Sequence, residues 1–141
     1  MKKSRPLIGI IAAEAEYVFF SNALNTIQKE LFAANMDAAV FSSLMMSGNA
    51  EFDAAENSVY DLVDFDLLDG IIIFSSSIND VTSRERLIAR IKSDFKGPVV
   101  SFDSQVDGFA NCLYNYEPVA DMMVSHIMDH HGCKVIDFVG G

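Results

Sequence analysis

Four short stretches of this chain combine aromatic and polar residues in the manner of a small-molecule site. Phe19 and Phe20 stand side by side, and Ser75 and Ser76 open a run of three serines. Asp103 follows an apolar run, and Asn115 and Tyr116 come just before a proline-led segment. Binding sites for small molecules are built from aromatic walls and a few placed hydrogen-bonding groups. Taken singly, a serine ends a strand and an aspartate starts a turn. As a set, Phe19, Phe20, Ser75, Ser76, Asp103, Asn115 and Tyr116 form a candidate ligand-binding group. A second constellation, "HIMDHHGC", puts His126 and His130 at i, i+4 with His131 and Cys133 close by. Two such imidazoles and a thiolate could chelate zinc. However, His126 and His130 share a stripe with Met123 and Ile127, and imidazoles favour the last turn of a helix. A structural role is therefore the reading carried forward, with no metal and no cofactor.

Motifs of catalysis are missing. No G-x-G-x-x-G follows the first apolar run, no G-x-x-x-x-G-K-[ST] occurs, and no Ser lies in a G-x-S-x-G elbow. A receiver domain needs an acceptor aspartate at the end of the third strand, where Ser75–Ser77 stand instead. A flavodoxin-type phosphate loop is not found in 12–17. The chain is expected not to be an enzyme.

The elements that must position these residues follow from two alternating periods. Apolar runs of strand length occur at Leu7–Ala12, Ala38–Ser42, Gly70–Phe74, Pro98–Phe102 and Val135–Val139. They are continuous and rich in Ile and Val, the pattern of strands buried on both faces of a parallel sheet. Between them, Phe20, Leu24, Ile27 and Leu31 stripe a helix over 17–35. Val59, Leu62 and Val63 make a weaker stripe in 52–65. Leu87, Ile88, Ile91 and Phe95 stripe 83–95, with Thr82 or Ser83 as N-cap. Val119, Met123, His126, Ile127 and His130 stripe the last helix, with Pro118 in its first turn and Gly132 at its C′ position. A short strand is expected near 112–114. This order predicts an α/β fold: a doubly wound, flavodoxin-like, mostly parallel sheet with helices on both faces, in three layers. Ligands of such sheets sit beyond the carboxyl ends of the strands, where the candidate residues lie.

The chain has 141 residues, enough for one domain, which buries roughly two-thirds of its unfolded surface. Its 50% hydrophobic content excludes a disordered chain. Twenty acidic residues against ten basic give a net charge of −10, which argues against a nucleic-acid grip by this segment. Cys112 and Cys133 adjoin apolar runs and read as buried, reduced thiols of a cytoplasmic protein. No apolar run approaches the ~20 residues of a membrane span. "MKKSRPLIGIIAAEAE" imitates a secretory signal, but its apolar core of Leu7–Ala13 is needed as the first strand.

The ordered run "RPLIGIIAA…FF", "DLLDGIIIFSSS", "GPVVSFDS" and "ADMMVSHIMDHHGCKVIDFVGG" resembles the amino-terminal lobe of periplasmic-binding-like (type 1) sensor domains of the lactose- and galactose-repressor type. The match covers essentially the whole chain, residues 1–141, as a single α/β lobe whose second lobe is absent. The resemblance implies a small effector, sugar-like or nucleobase-like, clamped between two lobes and relayed to an output module. It places Phe19 and Phe20 as a stacking wall and Ser75, Ser76 and Asp103 as polar anchors. Where the family carries an Asp-Asn pair before the last helix, this chain has Tyr114-Asn115-Tyr116, so a sugar-anchoring carboxylate is missing there. Its early start resembles regulators that carry this domain ahead of a diguanylate cyclase (GGDEF) or kinase module rather than behind a DNA-binding head. The expected function is effector sensing in a bacterial transcriptional or signalling regulator, with self-association into dimers. The alternatives are a lobe of a periplasmic solute-binding protein and a stand-alone flavodoxin-like domain.

Overall fold

In a computed structural model, residues 5–15, 17–44, 49–137 and 139 are described. Five strands form one sheet: β1 (Leu7–Ala13), β2 (Asp37–Ser43), β3 (Gly70–Ile73), β4 (Val99–Phe102) and β5 (Ala110–Cys112). All neighbours are parallel, in the order β2-β1-β3-β4-β5. The helices are α1 (Val18–Ala33), α2 (Ala50–Asn57), α3 (Val81–Asp94) and α4 (Glu117–Ser125). The order reverses beside β1, the switch point at which such sheets open a crevice.

Alternation along β1 builds a core on each side of the sheet. Ile11 and Ala13 face α3 with Ile71, Ile73, Leu87, Ile91 and the buried Tyr60. Ile10 and Ala12 face α1 with Leu24 and Phe74, joined by Phe20, Ile27, Leu31 and Phe102. The helical stripes read from 17–35 and 83–95 are the faces that pack. Helix α1 ends where Asn35 takes a left-handed φ of 59°. There the Asn35 amide donates to Phe32 O and the Met36 amide to Leu31 O, the pair of bonds that closes a helix carboxyl end.

Several elements differ from the sequence reading. The segment 52–65 is not one helix: α2 stops at Asn57 and 3-10 turns follow at Ser58–Leu62 and Phe65–Leu67. Arg90 holds this stretch by donating to Tyr60 O (3.1 Å) and Val63 O (3.4 Å), with its guanidinium 5.1 Å from the Phe65 ring centre. Asp80, not Thr82 or Ser83, caps α3, its Oδ2 accepting from the Ser83 amide at 2.8 Å. The short strand lies at 110–112 rather than 112–114. Residues 135–137 and 139 form no strand; Phe138 lies outside the described residues. Cys112 and Cys133 are free and exposed, not buried. Pro118 and Gly132 (φ 64°) do bound the last helical segment. Its apolar stripe, however, is turned to solvent: every residue of α4 is exposed, and His126 and His130 lie in an exposed π-helical turn. The period was legible there, but among the described residues no sheet face meets it.

Candidate functional site

At the carboxyl ends of β1, β3 and β4 the backbone leaves regular geometry. Glu14 (φ 55°) and Asp103 (φ 72°) both adopt left-handed conformations, which non-glycine residues enter at a cost and often at functional sites. After β3, Ser75–Ser77 form a 3-10 turn that binds the edge together. The buried Ser77 hydroxyl accepts from the Ala13 amide at 2.8 Å and donates to Phe74 O at 2.7 Å. The Tyr60 hydroxyl meets Ser43 Oγ at 2.8 Å and donates to Ala12 O at 3.0 Å, tying β1, β2 and the 3-10 stretch to one point. Burial raises the Tyr60 pKa above the ordinary phenol value and keeps it neutral.

On this platform Ser75 and Ser76 diverge. Ser75 is buried and hydrogen-bonded to Ser104, whereas Ser76 is exposed and donates to Asp103 Oδ2. The other carboxyl oxygen, Asp103 Oδ1, is buried with no hydrogen-bond partner among the described residues. The Asp103 amide bonds to Cys112 O at 2.9 Å, and Ser101 Oγ to Ser104 O at 2.7 Å, so the β4 turn is firmly held. A recess of about 290 Å³ opens on the α3 side of this edge, lined by Ser75, Ser76, Arg84, Ile88, Ser104 and Gln105.

Aromatic rings line the opposite, α1 side of this edge. Phe19, Phe20, Phe74, Phe102 and Tyr114 make a closed circuit with ring centres 4.8–6.1 Å apart. Phe20, Phe74 and Phe102 sit in the α1-side core, while Phe19 is half exposed and Tyr114 borders an open hollow of about 350 Å³ with Asn22, Ala23, Thr26 and Ile27. Tyr116 lies 5.6 Å from Tyr114 and is exposed. Asn115 Oδ1 accepts from the Glu117 amide at 3.2 Å and so starts α4.

The structure thus joins Ser75, Ser76 and Asp103 into one polar cluster, and Phe19, Phe20 and Tyr116 into one aromatic array. Asn115 is engaged at the helix start. Tyr114, Phe102 and Ser104 were not singled out from the sequence, because their part depends on which strand ends become neighbours. The three imidazoles do gather, with His126 Nε2 3.2 Å from His131 Nε2 and His130 5.1 Å from His126 between ring centres. No group of three His, Cys, Asp or Glu placed to hold a metal is found among the described residues.

No protein-family model and no curated protein matches the chain. Among solved structures it is similar to the Lac repressor dimer bound to operator and the anti-inducer ONPF, with a TM-score of 0.64 at 13% identity. The likeness covers 91% of this chain and 42% of the repressor chain, so this chain spans less than half of the repressor's length. Among the described residues, no helix is long and apolar enough to cross a membrane. The chain therefore has the α/β fold seen in the Lac repressor, a parallel five-stranded sheet with its polar and aromatic groups gathered at the carboxyl edge.

Proposed function

We propose that this chain is the amino-terminal, small-molecule-sensing lobe of a bacterial transcriptional or signalling regulator, and that it is not itself an enzyme. The observation that carries the reading is the carboxyl edge of the sheet: Ser76 donates to Asp103, a polar recess opens between Ser75, Ser104 and Arg84, and the Phe19–Tyr114 array lies on the α1 side of the same edge. This suits an effector with hydroxyl or ring N–H donors on one edge and an apolar face, sugar-like or nucleobase-like. The Lac repressor, of similar fold, binds an anti-inducer, and its structure is a dimer. By analogy, a second lobe would close over the effector and bias an attached output, DNA-binding, diguanylate cyclase or kinase. That bias is no greater than the effector's differential affinity for the open and closed states. The net charge of −10 fits a sensing segment that leaves any nucleic-acid contact to another module, in the cytoplasm.

Thermal-shift screening of the chain against pentoses, hexoses and nucleobases, followed by calorimetry, tests this. One class should bind, weakly because half of the clamp is supplied elsewhere, and Phe19→Ala should weaken it further. Flavin absorbance in the purified protein, or no response across the panel, would overturn the proposal.

A further inference from the structure

Of the four arginines, three stand beside a carboxylate. Arg5 pairs with Asp37 at 3.3 Å, and Arg86 and Arg90 share Asp61 at 3.2 and 3.4 Å. Arg84 pairs with no carboxylate among the described residues, in a chain with 20 acidic residues against 10 basic ones. It is half-buried near the start of α3, and its Nη1 donates to Ile78 O at 3.1 Å. That bond fixes the guanidinium and leaves its other N–H groups without a partner among the described residues. A guanidinium keeps its charge at every ordinary pH and offers five donors in a planar fork. Partly withdrawn from water, such a group is stabilised by an anion.

The surroundings of Arg84 match that need. It lines the α3-side recess with Ser75, Ser76, Ser104 and Gln105, and Ile88 is part of the wall. Ser76 donates its proton to Asp103, so toward the recess it can only accept. Ser75 and Ser104 share one hydrogen bond between their hydroxyls, which uses one of two protons and leaves the other to donate. The Gln105 side chain makes no hydrogen bond among the described residues, and its amide adds two N–H donors. No acidic side chain is among those lining the recess. The surplus is therefore of donors, and the one full charge on the lining is positive. Donors in excess around a guanidinium are the complement of a phosphate or carboxylate, and the apolar Ile88 strengthens the attraction by lowering the local dielectric.

We infer that this recess is an oxyanion subsite and that the effector is acidic, a sugar or nucleobase derivative whose phosphate or carboxylate sits on Arg84 while its neutral body lies at the carboxyl edge. The neutral body rests on the effector-sensing reading, whereas the oxyanion subsite stands on Arg84 and the donors around it. Arg84 thus selects the acidic compound over its neutral parent.

Calorimetry on the full chain with matched ligands tests this. Ribose and glucose are compared with their terminal phosphate esters, glucose with glucuronate, and adenine with adenosine monophosphate; inorganic phosphate is titrated alone. In the class that binds, an acidic member should bind about 10- to 150-fold more tightly than its neutral parent, the range for a hydrogen bond to a charged group. Arg84→Gln should abolish that preference, and Arg84→Lys, which keeps the charge without the fork, should retain part of it. Inorganic phosphate should compete with the acidic member on the parent chain. Equal affinity for acidic and neutral members on the parent chain, a result that needs no variant, would overturn the inference and leave effector sensing standing. So would a preference that Arg84→Gln leaves intact. Inorganic phosphate bound in an Arg84-dependent way, with no organic member bound, would keep the subsite and overturn the sensing reading instead. No response to any member or to phosphate would overturn both.

Discussion

Replacing Asp103 by glycine separates a ligand anchor from a structural carboxylate. The substitution removes the bond from Ser76, a hydrogen bond to a charged group that is worth about 1.5–3 kcal/mol. Ser76 is exposed and can rehydrate, so the lower figure applies. Greater freedom of the unfolded chain takes away about 0.5–1 kcal/mol more. On the other side, Oδ1 no longer stands buried without a donor, a relief of about 1–3 kcal/mol. The left-handed φ of 72° also becomes unstrained, worth roughly 1 kcal/mol. These effects nearly cancel, so urea unfolding followed by circular dichroism should place Asp103→Gly within about 1 kcal/mol of the parent, or roughly 3–6 °C in Tm. Calorimetry with whichever effector class binds should show an affinity loss of about 10- to 150-fold, equivalent to the same 1.5–3 kcal/mol. Ser77→Ala is the comparator, since Ser77 is buried with both bonds inside the edge; it should destabilise by about 1–3 kcal/mol. A loss above about 2 kcal/mol for Asp103→Gly, with binding unchanged, would show that Asp103 is architecture and refute the reasoning.

Three further outcomes follow from the contacts of the fold. Tyr60→Phe should destabilise by about 1–3 kcal/mol, because Ala12 O and Ser43 Oγ lose a buried partner. Because burial raises the Tyr60 pKa, its stabilisation is complete below the ordinary phenol range and is lost as pH rises through it toward the folded value. The parent should therefore lose stability in alkali more steeply than the variant in paired urea melts. Asp80→Ala should cost about 1 kcal/mol at neutral pH, the usual effect of losing a helix N-cap. The bonds to Ser83 lower the Asp80 pKa, so this difference should be present above the ordinary carboxylate range and fade as pH falls through the folded value. Arg90→Lys should not rescue Arg90→Ala in thermal melts, since an ammonium cannot both reach two carbonyls and lie flat on Phe65.

Much of the fold was legible because its signals are local. Continuous Ile and Val runs at Leu7–Ala13 and Gly70–Ile73 can satisfy burial on both faces only inside a parallel sheet, and the stripe Leu24, Ile27, Leu31 can satisfy its own only against one. The serine run and Asp103 stood out because they follow such strands. The same logic failed after β5. The stripe of α4 and the run Val135–Val139 are as apolar as the packed elements, but apolar period states only that a face wants a partner. Which partner it finds depends on the connection, and Tyr114 packed between Phe19 and Phe102 directs the chain outward.

The sequence by itself determined the class of fold and where its first four strands fall along the chain, because hydrophobic periodicity acts within a few tens of residues. Only the tertiary structure decided that Ser76 and Asp103, 27 residues apart, share a hydrogen bond while Oδ1 has none among the described residues. It alone closed five rings from α1, β4 and the turns after β3 and β5 into a single wall, and it alone left α4 exposed among the described residues. Each is a meeting of residues distant in sequence, set by strand order and turn geometry that no local pattern encodes.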